Sequence, residues 1–522
     1  MTFKLTYSTM FNPPEAMHER FEAALARVRG DLGRAHGHFI DGKDVPRTEH
    51  TTLHAPADQR LVLGRFARGT GEDVQRAAAA AKRAFPAWRA TPPAERIRLL
   101  RRVAELLEER AYDIGAAMVL EVGKNRMEAL GETQETADFF SGYAAEFERR
   151  GGYDLANPDD PLPDYRSHNR SVLKPYGVWG VIAPFNFPLA LAGGPTAAAL
   201  VTGNTVVLKG ASLTPWSGRL LAEAIRDAGL PAGVFNYVMG SGQVVGEALI
   251  DHPDLAGITF TGSEDVGMRI YRRMAAGPYP RPCIAEMGGK NPCIVTARGD
   301  LDRAATGIVR SAFGMGGQKC SALSRVYVEA AVADDLIVCL REKMAAIRIG
   351  DPALRENWLG PVISEQAARD FVAYAAQLNV QGARLLEGGY RMGKGEFAHG
   401  HFVAPALAEA PADHPLFGVE MFLPVLMVCR VKDLDEALAH ANASSLGLTA
   451  GCYGDEAETR RFLDHIEAGV TYLNRPQGAT TGAWPGYQAF GGWKGSGSTG
   501  KAIGSVYYLP QYLREQSQTW VE

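Results

Sequence analysis

Apolar residues recur along this chain at two different periods. A run of alanines opened by Asp73 extends to Trp88, and after Pro92-Pro93 residues 94–110 place Ile97, Leu100, Val103, Ala104 and Leu107 on one face with charges opposite. Residues 121–147 continue at helical spacing. These early segments read as packing helices without chemistry of their own. Residues 151–164 are rich in Gly, Pro and Asp and read as a loop or arm. From Arg170 onward short apolar runs alternate with amphipathic ones. Strands are expected at 178–182, 205–208, 234–239 and 257–261. Helices are expected at 189–201, 216–227 and 243–250. A second alternating stretch runs from 291 to 473, with helices at 334–347 and 364–378. A strand-like tail is expected at 505–509. Such alternation signals an α/β protein with parallel sheets.

Residues 176–208 hold no charge, which is long enough for a membrane span. Pro184, Pro188 and Pro195, with Gly180, Gly193, Gly194 and Gly203, break that reading. A buried strand–helix–strand unit fits better. Net charge over the 522 residues is -4, without long blocks, so neither nucleic acid nor an anionic membrane is an expected partner. Residues 1–13 carry one lysine and no apolar core of signal length, so a cytoplasmic protein is expected. The six cysteines form no CxxC pair and no zinc-type cluster with histidine, so no metal site is expected.

Several short segments carry candidate chemistry. Gly240-Ser241-Gly242, with Gly246, follows a strand and opens a helix, one residue longer than the usual dinucleotide fingerprint. Thr261-Gly262-Ser263 follows the next strand. Either turn can offer backbone N–H groups to a pyrophosphate, and either can simply close a tight connection. Lys209 ends a strand where open sheets bind ligands. Cys320 sits in a Gly-rich stretch beside Lys319, a cation that would favour the thiolate. Glu286, between apolar residues at a strand end, suits a general base, or a partner for Lys290. Asn186, between two aromatics and two prolines, can serve an oxyanion or satisfy a turn.

In order, these segments resemble the aldehyde dehydrogenase superfamily over residues 64–515. The motifs are Pro184-Phe185-Asn186-Phe187-Pro188, Val207-Leu208-Lys209, Phe260-Thr261-Gly262-Ser263, Glu286-Met287-Gly288-Gly289-Lys290, Gly317-Gln318-Lys319-Cys320 and Glu420-Met421-Phe422-Leu423-Pro424. The resemblance implies Cys320 as nucleophile, Glu286 as base and Asn186 as oxyanion donor. It implies a cofactor, NAD with NADP admitted, held by Lys209, Ser212, Gly242, Gly246, Thr261, Gly262, Ser263, Gly288, Glu420 and Phe422. Ser212 stands where many NAD-selective members carry Glu.

Within the superfamily the chain is most similar to 1-pyrroline-5-carboxylate dehydrogenases, on Lys319-Cys320-Ser321, Asn474-Arg475 with Gly478-Ala479, Phe490-Gly491-Gly492-Trp493-Lys494 and Ser496-Gly497. That similarity implies oxidation of L-glutamate γ-semialdehyde, an aldehyde with an α-carboxylate. The substrate would meet Lys319, Ser321, Gly478 and Ala479, with Phe187 and Phe490 along its aliphatic chain. Departures from the family pattern include Gly210, Glu264 and Leu423, and Ala483-Trp484-Pro485-Gly486 reads as an insertion in the anchor loop. The implied domains are a Rossmann-type cofactor domain (1–150 and 174–286), an α/β catalytic domain (287–495) and a small β oligomerisation arm (151–173 and 496–522). The arm implies a homodimer or higher assembly. Alternative readings are a dehydrogenase of another small aldehyde and a non-catalytic structural protein on the same fold.

Overall fold

The computed structural model describes residues 4–161 and 163–522. Residues 1–3, within the stretch examined for export, and residue 162, within the expected arm, lie outside the described residues.

The uncharged stretch folds as its prolines and glycines dictate. Strand Val178–Ile182, helix Ala190–Val201 and strand Thr205–Lys209 are buried but for Leu191. The two strands run parallel, Ile182 opposite Lys209. They lie inside a seven-stranded sheet ordered Cys283–Glu286, Leu255–Thr261, Val178–Ile182, Thr205–Lys209, Phe235–Tyr237, His38–Ile40 and Lys43–Val45. The first five strands are parallel and the last two pair antiparallel at the edge. The edge pair was not expected, because the region before residue 70 offers no sustained period.

A second seven-stranded sheet is ordered Arg384–Glu387, Ala406–Glu409, Val425–Val431, Leu323–Glu329, Asn291–Val295, Thr449–Tyr453 and Val470–Leu473. All its strands but Arg384–Glu387 are parallel. The chain passes from Glu286, at the end of the first sheet's outer strand, to Asn291, at the start of the second sheet's strand, through only residues 287–290. Carboxyl ends of the first sheet therefore approach amino ends of the second.

Four expectations change in detail. Asp73 is not the cap of its helix: Thr70 is, and the Asp73 carboxylate, three residues on, accepts from the Thr70 N–H at 2.9 Å. Residues 121–147 are two helices, Ala111–Val122 and Arg126–Arg149, separated where Gly123 adopts φ +85° and Asn125 caps the second. Residues 243–250 form a π-turn, Gly242–Gly246, before the short helix Glu247–Ile250. Residues 505–508 are turns, Leu509 opens the short 3-10 helix Leu509–Tyr512, and the tail strand is Leu513–Val521. That strand pairs antiparallel with Ser167–Pro175, which pairs with Asp154–Asn157, making a separate three-stranded sheet. Among the described residues no helix is long and apolar enough to cross a membrane.

Candidate active site

The seam between the two sheets gathers the candidate residues. Asn186, Lys209, Gly242, Ser263 and Glu286 all lie at or just past carboxyl ends of parallel strands in the first sheet. Cys320 and Glu420 precede strands of the second. Hydrogen bonds knit the seam. The Gly289 N–H donates to Glu420 Oε1 at 2.8 Å, Asn291 Nδ2 donates to the Cys320 carbonyl at 2.7 Å, and Ser496 Oγ donates to the Gly288 carbonyl at 2.7 Å.

The turn before Cys320 needs its glycines. Gly316 and Gly317 both have positive φ, and a Cβ on Gly317 would collide with the Leu423 carbonyl. Cys320, Ser321, Glu286, Phe187 and Phe490 line one cavity of about 90 Å³. Burial pushes the Glu286 carboxyl up to about 8, and its Oε1 has no partner among the described residues. It does not pair with Lys290, whose buried ammonium has no hydrogen-bond partner among the described residues. The Cys320 thiol is held well above its ordinary value by burial, then by Glu286 and Glu420.

Lys319 does not offset this. Its ammonium is tied to Glu128 Oε1 at 2.8 Å, which corrects the expectation that it favours the thiolate. Asn186 is buried just before Phe187. Its loop is pinned by the helix once read as inert. Lys124 Nζ, paired with Glu132, donates to the Asn186 carbonyl at 2.8 Å and lies 4.3 Å from the Phe187 ring centre. Glu132 Oε1 accepts from the N–H groups of Leu189 and Ala190 at 2.8 and 3.1 Å.

None of the cofactor candidates lines that cavity. Lys209 is buried, with no charge beside it, and burial lowers its ammonium to about 8. Ser212 is exposed and donates to the Gly240 carbonyl at 3.0 Å. A Cβ on Gly242 or Gly246 would meet open space. Thr261 is buried, Gly262 donates to the Glu286 carbonyl at 3.1 Å, and Ser263 precedes helix Glu264–Ala275 with its side chain free of a capping bond. A Cβ on Gly288 would collide with the Glu420 carboxylate. Phe422 has φ +55° and meets Phe185 edge-on at 5.8 Å. A lysine without a counter-charge, an open glycine turn and a free helix start fit a dinucleotide.

The anchor-loop expectation is corrected. Gly478 and Ala479 lie beneath the cavity. Ala479 is packed in the apolar core, and its N–H is used by the Gly307 carbonyl at 3.0 Å. Gly482 and Ala483 line the cavity instead. The Gly-Ala pair occurs twice, four residues apart, and packing alone separates them. Residues 483–486 are packed into the loop: Trp484 is buried and its backbone bridges Gln488. Two further cavity-lining carboxylates, Glu128 and Glu135, were missed. With Glu132 they fall at i, i+4 and i+7, one face of an apolar helix, which is a legible sign of buried polar work. Among the described residues no cluster of three metal-ligating side chains occurs.

A family model described as the aldehyde dehydrogenase family matches residues 44–517, and the chain belongs to that family. Over 515 residues it is 39% identical to the 1-pyrroline-5-carboxylate dehydrogenase of Geobacillus kaustophilus (strain HTA426), covering 97% of this chain and 96% of that protein. Over 513 residues it is 38% identical to the enzyme of that name from Geobacillus sp. (strain WCH70), with the same coverage. The solved structure of 1-pyrroline-5-carboxylate dehydrogenase from Thermus with bound NAD matches at TM-score 0.92 and 34% identity, covering 100% of this chain and 99% of that one.

Proposed function

We propose that this chain oxidises L-glutamate γ-semialdehyde, the open form of 1-pyrroline-5-carboxylate, to L-glutamate with NAD. The observation that carries the reading is the shared cavity. A thiol and an unpartnered carboxyl face a space walled by Phe187 and Phe490 and bounded by Ser321, Gly482 and Ala483. Two aromatic walls suit an aliphatic chain, and the hydroxyl and backbone groups suit its α-carboxylate. The names of the relatives point the same way.

A free aldehyde donates hydride poorly. Once the Cys320 thiol has lost its proton to solvent, Sγ adds to the carbonyl carbon, and the oxygen becomes an oxyanion that can expel hydride. The Asn186 amide and the Cys320 backbone N–H are the donors for that oxyanion. One such donor is typically worth about 3 kcal/mol. Bound NAD supplies the hydride acceptor; Lys209, the Gly242 and Ser263 turns and Glu420 would hold it. Ser212, short and uncharged, admits NADP as well. Glu286 then takes a proton from water, the hydroxide attacks the thioester, and the C–S bond breaks to return the thiolate and release the acid.

Cys320→Ser should abolish NADH formation, since a hydroxyl is the weaker nucleophile. Substantial turnover by that variant would refute the thioester route. For the substrate, kcat/KM for glutamate semialdehyde should exceed that for pentanal by at least about tenfold, the effect of roughly one lost charged hydrogen bond. Equal values would overturn the substrate assignment. Six free thiols support a reducing compartment, the cytoplasm. The long edge strand Leu513–Val521, with exposed Trp520 and Val521, supports a homodimer or higher assembly.

A further inference from the structure

The N-terminal segment forms part of the substrate cavity: Tyr7, Met10 and Phe11 line it. It is held down at four points. Lys4 Nζ pairs with Asp138 at 2.7 Å. The Tyr7 hydroxyl donates to Glu135 Oε2 at 2.6 Å. Arg475 Nη2 donates to Ser8 Oγ at 2.8 Å. The Arg310 guanidinium lies 3.6 Å from the Phe11 ring centre. The same segment reaches the anchor loop. Arg475 Nη1 also donates to the Thr481 carbonyl at 2.9 Å, and the Tyr7 ring meets Trp484 edge-on at 5.1 Å. The Tyr7 ring also approaches Phe187 edge-on at 6.3 Å. One tyrosine thus joins the anchor loop, the aromatic wall and a cavity carboxyl.

The cavity's acidic groups are not equivalent. Glu128 is neutralised by Lys319, and neighbouring Lys124 is committed to Glu132. Glu135 has the Tyr7 hydroxyl and, among the described residues, no cation in ion-pair contact. Tyr7 occupies only Oε2, so Oε1 is left for another donor. A carboxyl in this position is ionised cheaply only when a cation comes to it. The substrate proposed above brings one, its α-ammonium.

We propose that Tyr7 is a positioning residue for substrate specificity: its hydroxyl orients the Glu135 carboxylate, and the segment 4–12 walls the cavity, so that amino-acid aldehydes are selected over aldehydes lacking an ammonium. The inference rests on the substrate reading given above.

The test compares glutamate semialdehyde with glutarate semialdehyde, which keeps the chain and carboxylate but lacks the ammonium. In Tyr7→Phe, KM for glutamate semialdehyde should rise roughly tenfold, the loss of one hydrogen bond to a charged group, with kcat changed less than about twofold. KM for glutarate semialdehyde should change less than about twofold. Glu135→Gln should give the same selective rise, and the double variant should be no worse than Glu135→Gln alone. Parallel losses on both aldehydes, additive effects in the double variant, or no change in Tyr7→Phe would each overturn the role of Tyr7. A wild-type enzyme showing no preference for glutamate semialdehyde over pentanal would instead overturn the substrate reading, and this inference with it.

Discussion

Burial favours the protonated form of both side chains proposed to react, Cys320 and Glu286. Glu286 lies near 8 because its carboxylate has lost water and gained no cation. At neutral pH it is mostly protonated and cannot accept a proton from water. Raising pH through about 8 converts it to the base, and the thiolate population rises in the same direction. The rate should therefore climb between pH 7 and 8 and go on rising above the Glu286 titration as more thiolate forms. A steady-state pH profile that falls over that range would contradict the assignment. Glu286→Gln removes the base and leaves the thiol, so an acyl-enzyme should form and stall, with turnover down on the order of 10²-fold. Single-turnover NADH release with slow steady state is the expected signature; an unchanged steady-state rate would exclude Glu286 as base. Local sequence singled out Cys320 and Glu286, each in a distinctive Gly-rich segment, and the fold brings both to one cavity. It did not disclose that Lys319 is spent on Glu128, because Glu128 is 191 residues away in the chain.

At the scale of elements, helix Arg126–Arg149 matters more than its sequence announces. It supplies Glu128 and Glu135 to the cavity and Glu132 to the Asn186 loop. Its start is set by Asn125, whose Oδ1 accepts from the N–H groups of Met127 and Glu128 at 3.1 and 3.0 Å and whose Nδ2 donates to the Trp358 carbonyl at 2.9 Å. Asn125→Ala should cost about 1 kcal/mol, the usual loss of a cap, measured by urea unfolding. Because Glu128 rides on the first turn, KM for the aldehyde should rise more than KM for NAD. The helix reads as inert because the groups its carboxylates meet, Lys319, Leu189, Ala190 and Tyr7, come from distant segments. The break at 123–125 was legible in Gly123 followed by Asn125, a stop signal and a start signal in sequence. The anchor loop was not, because two Gly-Ala pairs compete and only packing shows which faces the cavity.

At the scale of the molecule, the site exists because two parallel sheets meet end to end. Residues 287–290 are too short to let them separate, and Gly289, Asn291 and Ser496 bond across the join. The tail strand Leu513–Val521 pairs with Ser167–Pro175 along its whole length, away from the cavity. Deleting residues 513–522 should convert the proposed assembly to monomer, read by sedimentation. An unchanged mass would place the interface elsewhere.

The α/β class, the run of strand ends and the candidate thiol and carboxyl were written into local pattern, because hydrophobic period and Gly-rich turns are properties of neighbours in the chain. What only the tertiary structure decided was which polar groups meet: Lys319 with Glu128, Tyr7 with Glu135, Gly482 and Ala483 rather than Gly478 and Ala479 at the cavity. Burial, ion pairing and proton affinity depend on distance in space, and no spacing along the chain encodes that.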